Sequence, residues 1–153
     1  DAQKIIEKAY AKNVECLLPA DHVMVAEIKE DSETRLSQGM AIHKDYFAVD
    51  IGPRSIVLFG EKIEEAKTIF WNGPMGIFEM EPFAKGSLAI AQALAEATEK
   101  GATTIVGGGD SLALLAKAGL QGKVTHCSTG GGASLELLEG RTLPGLSALS
   151  QSK

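Results

Sequence analysis

The sequence predicts an α/β fold: a three-layer, doubly wound architecture whose sheet is mainly parallel, with helices on both faces. Two observations carry this. Three short apolar segments, Thr68 to Trp71, Thr103 to Val106 and Val124 to Cys127, each run into a glycine-bearing turn and then into a stretch of helical periodicity. Strand and helix signals also alternate over about a hundred residues, a pattern that right-handed crossovers turn into a parallel sheet. The chain has 153 residues, enough for one domain-sized core.

Taken in order, Ala2 to Asn13 spaces Ile5, Ile6, Ala9 and Tyr10 as one face of a helix, and Val14 to Leu18 reads as a short apolar strand stopped by Pro19. His22 to Ala26 is a second strand candidate. Glu27 to Gly39 is polar and is expected to form a surface excursion with little sheet. Tyr46 to Ile51 is a further strand, turned by Gly52 and Pro53 into a helix over Ser55 to Ala66. Thr68 to Trp71 is apolar enough to be a buried strand, and Asn72, Gly73 and Pro74 end it in a loop. Pro82 and Phe83 open the longest helix, which repeats Leu88, Ala91, Leu94 and Ala95 at three and four and stops at Gly101. Gly107 to Gly109 lead into a helix at Ser111 to Ala118, and Gly130 to Gly132 into one near Ala133 to Leu138.

Composition excludes several function classes. The net charge is −5, with Lys and Arg dispersed among acids, which argues against a nucleic-acid partner. The longest apolar run, Ser87 to Ala95, is alanine-rich and falls short of the ~20 residues of a bilayer span, so no membrane partner is expected. Cys16 and Cys127 lack CxxC spacing, which suggests neither a disulfide framework nor a zinc site and favours a reducing, cytoplasmic location. The chain opens on Asp1 within a predicted helix, without a start Met or a signal-peptide pattern, and is expected to be a piece of a longer protein.

In open parallel sheets, ligands sit beyond the carboxyl ends of the strands, so the loops at Asn72 to Phe78, Gly107 to Ser111 and Ser128 to Ser134 should converge. Two of these are triple-glycine runs directly before a helix. There, free backbone N–H groups and the positive end of the helix dipole favour an anion, and the missing Cβ atoms let a phosphate approach. One such run would be an ordinary flexible turn; two at equivalent positions need a steric reason and point to a phosphate cradle.

The neighbouring polar residues each have two readings. Asp110 and Ser111 are either helix caps or, respectively, an oxygen ligand for magnesium beside a polyphosphate and a phosphate contact. Glu79 is either a solvated surface glutamate or a partner for a ribose diol. Asn72 either closes a local turn or donates to a phosphate oxygen. A hydrolytic triad of His126, Ser128 and Asp110 is disfavoured: no G-x-S-x-G elbow occurs, and a histidine closing an apolar strand is more often a satisfied core residue. His22 and His43 lack partners at metal-ligand spacing, and neither the Walker nor the dinucleotide glycine pattern is present.

The blocks WNGPMGIFEMEPF at Trp71 to Phe83, TIVGGGDS at Thr104 to Ser111 and HCSTGGGASLELLEGRTLPG at His126 to Gly145 resemble the signatures of the phosphoglycerate kinases, as do LLPADHVMV at Leu17 to Val25 and AVDIGP at Ala48 to Pro53. The resemblance covers essentially the whole chain. It implies a Rossmann-like, carboxyl-terminal nucleotide-binding domain over residues 1–153, incomplete at its start, from a monomeric cytosolic enzyme. That enzyme would move a phosphoryl group between 1,3-bisphosphoglycerate and ADP, giving 3-phosphoglycerate and Mg-ATP.

Carried over residue by residue, the resemblance places adenine near Ala48 and Val49, where the family commonly has glycine before leucine. Ribose would meet Glu79, and the phosphates Asn72 and Gly107, Gly108, Gly109, Asp110 and Ser111, with Asp110 on Mg2+. The amides of Gly130, Gly131 and Gly132 would face the transferring phosphoryl group. A lysine-bearing glycine loop and the basic domain that holds phosphoglycerate would lie outside this chain, so the piece is expected to be inactive alone and weakened by an exposed sheet edge. The alternative is a stand-alone Mg-nucleotide-binding module.

Overall fold

A computed structural model describes residues 2–150. The first helix, α1 (Ala2–Ala11), ends where Asn13 takes a left-handed conformation (φ 53°). The apolar side of α1 faces outward, with Ile5 65% and Tyr10 86% exposed. The expected strand at Val14 to Leu18 is not formed. A strand exists only as half of a ladder, and among the described residues none pairs with this segment, which runs as irregular chain.

Next come β1 (His22–Val25), β2 (Arg35–Leu36) and β3 (Phe47–Ile51), which form an antiparallel sheet in the order β2-β1-β3. Met24 lies opposite both Arg35 and Ala48. No helix intervenes between these strands, and a chain that returns without a crossover pairs antiparallel. The sheet is therefore split: the predicted parallel part is real, and the strands before it form a separate antiparallel unit. Val25, Val49 and Phe83 make that unit's own small core.

Pro53 opens α2 (Pro53–Glu65), as proline suits the first helical turn. The N-terminus of α2 is satisfied from far upstream. The Asp21 carboxylate accepts the N–H of Ser55 (2.8 Å) and of Arg54 (3.1 Å) together with the Ser55 hydroxyl (2.7 Å). Gly52 is obligatory there, because any Cβ would collide with the Asp21 carboxyl.

The parallel sheet follows as β4 (Thr68–Asn72), β5 (Thr103–Gly107) and β6 (His126–Ser128), in that spatial order. Between β4 and β5 a 3-10 turn at Glu81–Phe83 precedes α3 (Lys85–Glu99), so Pro82 and Phe83 stand just before the helix rather than in it. The remaining helices are α4 (Gly109–Lys117), α5 (Gly131–Leu138) and α6 (Pro144–Ser150). Strand alternation sorts the side chains. Trp71 and Val106 point to one face, where Ile90 and Leu94 of α3 and Leu114 and Leu115 of α4 complete the main core. Phe70, Ile105 and His126 point to the other, where Leu137 and Leu138 of α5 leave a cavity of about 230 Å3.

Candidate functional site

The ladder is level at its carboxyl end: Asn72 pairs with Gly107, and Gly107 with Ser128. The three loops predicted to converge therefore leave the sheet side by side, and α4 and α5 start directly behind two of them. Their first-turn N–H groups face this edge.

Three of the six glycines, Gly107, Gly108 and Gly131, are required by contact rather than by flexibility. A Cβ on Gly131 would lie 2.6 Å from the Gly108 nitrogen, so the two triple-glycine runs are packed against each other. Gly108, at φ 89°, would also put a Cβ 2.6 Å from Asn72 Oδ1, and Gly107 would put one 3.0 Å from the Phe70 ring. The Asn72 side chain thus lies between the two runs. Gly109 and Gly132 have open space beside them, and both are exposed.

Gly108, not Asp110, is the N-cap of α4, and no side-chain cap bond is made there. Asp110 stands exposed in the first helical turn. Among the described residues no three His, Cys, Asp or Glu side chains form a metal cluster. A single carboxylate such as Asp110 is nonetheless a donor that fits Mg2+ when phosphate oxygens and waters fill its other positions. Ser111 is fully buried, and its hydroxyl accepts the Gly73 N–H at 2.8 Å, which ties the loop after β4 to α4.

The rest of that loop is held as firmly. Ser87 of α3 accepts the N–H groups of Met75 (2.8 Å) and Gly76 (3.2 Å), Ile77 N–H donates to the Val49 carbonyl (2.9 Å), and Lys117 Nζ reaches the Phe78 carbonyl (3.4 Å). A Cβ on Gly76 would stand 2.6 Å from both the Val49 carbonyl and Asp50 Oδ1. Ala48 and Val49 on β3 are thereby linked to the segment that carries Glu79. Ala48 and Glu79 are exposed, while Val49 is buried.

Asp50 is buried beside this junction, accepting the N–H of Gly86 (2.7 Å) and of Ile51 (2.9 Å). Burial pushes its carboxyl above the ordinary carboxylate value, and the two N–H bonds only partly offset this. Sequence reasoning missed Asp50, Ser87 and Lys117. A charged residue inside an apolar strand segment, two places before Gly52-Pro53, was the available signal for Asp50.

The hydrolytic constellation is not assembled. The Ser128 hydroxyl pairs with Ser134 Oγ (3.0 Å), and no hydrogen bond among the described residues joins His126 to Ser128 or Asp110. His126 is exposed rather than a core residue, because β6 is an edge strand. A cavity of about 710 Å3, bordered by Met24, Arg35, Ile42 and Tyr46, contains none of the sequence-predicted site residues.

Comparison with known proteins converges on one description. The family model "Phosphoglycerate kinase" matches residues 1–141. The chain is 53% identical over 151 residues to a phosphoglycerate kinase of Chloroherpeton thalassium, covering 99% of this chain and 38% of that protein. It is 52% identical over 151 residues to a cytosolic phosphoglycerate kinase of Triticum aestivum, with the same 38% of that protein covered. Among solved structures, phosphoglycerate kinase from Coxiella burnetii superposes with a TM-score of 0.85 at 42% identity, over 92% of this chain and 36% of that one. The chain therefore spans about 38% of the length of the curated relatives it matches.

Proposed function

This chain belongs to the phosphoglycerate kinase family, and on that premise we propose that it is the larger part of the nucleotide-binding domain of an enzyme that reversibly transfers a phosphoryl group between 1,3-bisphosphoglycerate and ADP. In that reaction the β-phosphate oxygen of ADP takes the phosphoryl group from the acyl phosphate, and 3-phosphoglycerate departs as a carboxylate. No covalent enzyme intermediate is involved.

The observation that carries this reading is the packing of Gly131 onto Gly108, which brings two helix N-termini to one sheet edge with Asp110 in the first turn of α4. Backbone amides of Gly107, Gly108 and Gly109 with Asn72 and Ser111 would hold the nucleotide phosphates, and those of Gly130, Gly131 and Gly132 would face the group in transfer. Adenine would rest by Ala48 and Val49, and the ribose diol would bond Glu79. Asp110 would hold Mg2+, which neutralises phosphate charge when bound. The phosphoglycerate would be held by residues outside this chain, in a monomeric cytoplasmic enzyme, and the 153-residue piece alone does not catalyse.

Calorimetric titration with Mg-ADP tests the site. Saturable binding is expected for the wild type, weakened roughly tenfold in Asp110→Ala, in line with the loss of a charged ligand. A wild-type chain that takes up no Mg-ADP, or an Asp110→Ala chain that binds it unchanged, would overturn the assignment. Phosphoryl transfer by this chain alone would instead overturn the statement that it needs a partner domain.

A further inference from the structure

Glu79 belongs to an irregular loop, yet the Met75–Ile77 part of that loop is bonded in place at every backbone N–H. Ser87, fully buried in the first turn of α3, accepts the donors of Met75 and Gly76 on one oxygen. Ile77 N–H is taken by the Val49 carbonyl of β3. The N-terminus of α3 is itself fixed to β3, because Asp50 Oδ2 accepts Gly86 N–H at 2.7 Å. Ser87 thus adds, through α3, a second tie to the direct Ile77–Val49 bond between the loop and the strand.

We propose that Ser87 is a positioning residue for nucleoside recognition, bracing the loop that carries Glu79 against α3, and so beside the Ala48–Val49 strand, without touching the ligand. The inference rests on the proposed nucleotide site. The phosphate side of that site is anchored separately, since Ser111, not Ser87, ties Gly73 to α4. Removing the Ser87 hydroxyl leaves two partly buried N–H groups without their acceptor, and the loop must move to solvate them.

The two halves of the ligand separate this role from simple structural support. Titrations of the chain with adenosine, Mg-ADP and Mg-pyrophosphate should show Ser87→Ala losing affinity for adenosine and Mg-ADP by roughly tenfold, the scale of one or two lost hydrogen bonds. Affinity for Mg-pyrophosphate should stay within about twofold, and Ser87→Thr, which keeps the hydroxyl, should restore nucleoside binding. Should Ser87→Ala not fold by thermal melting, Ser87→Cys, with a weakly accepting sulfur of similar size, takes its place with a smaller loss of the same selectivity. Equal loss for all three ligands, or no loss for adenosine, overturns the proposal. Failure of the wild type to bind any of the three would instead count against the nucleotide site.

Discussion

Gly131 lies so close to Gly108 that a methyl group on its Cα would stand 2.6 Å from the Gly108 nitrogen and 2.9 Å from the Gly108 Cα. Two helices that follow different strands are brought to one point by this contact, and it makes neighbouring glycines unequal. Gly131→Ala should force the runs apart, destabilising the chain by about 1–3 kcal/mol, typical of overpacking, and weakening Mg-ADP binding. Gly132→Ala, with open space beside it and its amide retained, should alter both far less. Melting curves and calorimetry on the two variants check this; equal effects would show that flexibility, not contact, calls for glycine here.

Asp21 supplies an acid-sensitive share of stability. Burial pushes its carboxyl upward, but bonds from Ser55 and Arg54 outweigh that and hold it below the ordinary carboxylate value. The folded state therefore binds this proton less readily than the unfolded one. The contribution is complete above the unfolded value of 3.8 and is lost as pH falls through the lower folded value. Asp21→Asn should cost about 1–3 kcal/mol at neutral pH, because the amide cannot accept all three donors. Its melting temperature should also fall less steeply in acid than that of the wild type.

Asp50 should act with the opposite sign. With its folded value raised by burial, the native state keeps the proton after the unfolded chain has released it. That share of stability is present below 3.8 and is lost as pH rises through the raised value. Asp50→Asn removes this dependence, so the difference in melting temperature between variant and wild type should shift in favour of the variant as pH rises through the window. A pH-independent difference would mean that the carboxyl does not titrate there.

Thr104 bridges β5 to the start of β6. Its hydroxyl oxygen accepts the Thr125 N–H at 3.0 Å and pairs with Thr98 Oγ1 at 2.6 Å, while Thr125 Oγ1 accepts Thr104 N–H in return. Thr104→Val keeps the shape and removes the acceptor, leaving Thr125 N–H unpaired at a cost of about 1–3 kcal/mol. Chemical denaturation measures this directly, and an unchanged midpoint would indicate that water replaces the bond.

The three strand–glycine–helix units were legible in the sequence because each carries its own local signals: an apolar run, a residue type that breaks it, and a helical period. For the same reason both glycine runs and Asp110 could be placed at helix starts along one edge of the parallel sheet. Tertiary structure decided the rest. Val14 to Leu18 has strand composition but no neighbour, and pairing cannot be read from one segment. The antiparallel β2-β1-β3 sheet depends on how the 27–46 excursion returns, which its polar composition leaves open. The glycine runs were expected to be close-packed against a ligand, yet Gly131 and Gly107–Gly108 are first packed against each other and against Asn72 and Phe70. Ser87 and Asp50 read as ordinary residues in the chain, and only folding brings them to the loop that carries Glu79. Local periodicity determines which elements form; long-range hydrogen bonds and steric contact determine where the site residues stand.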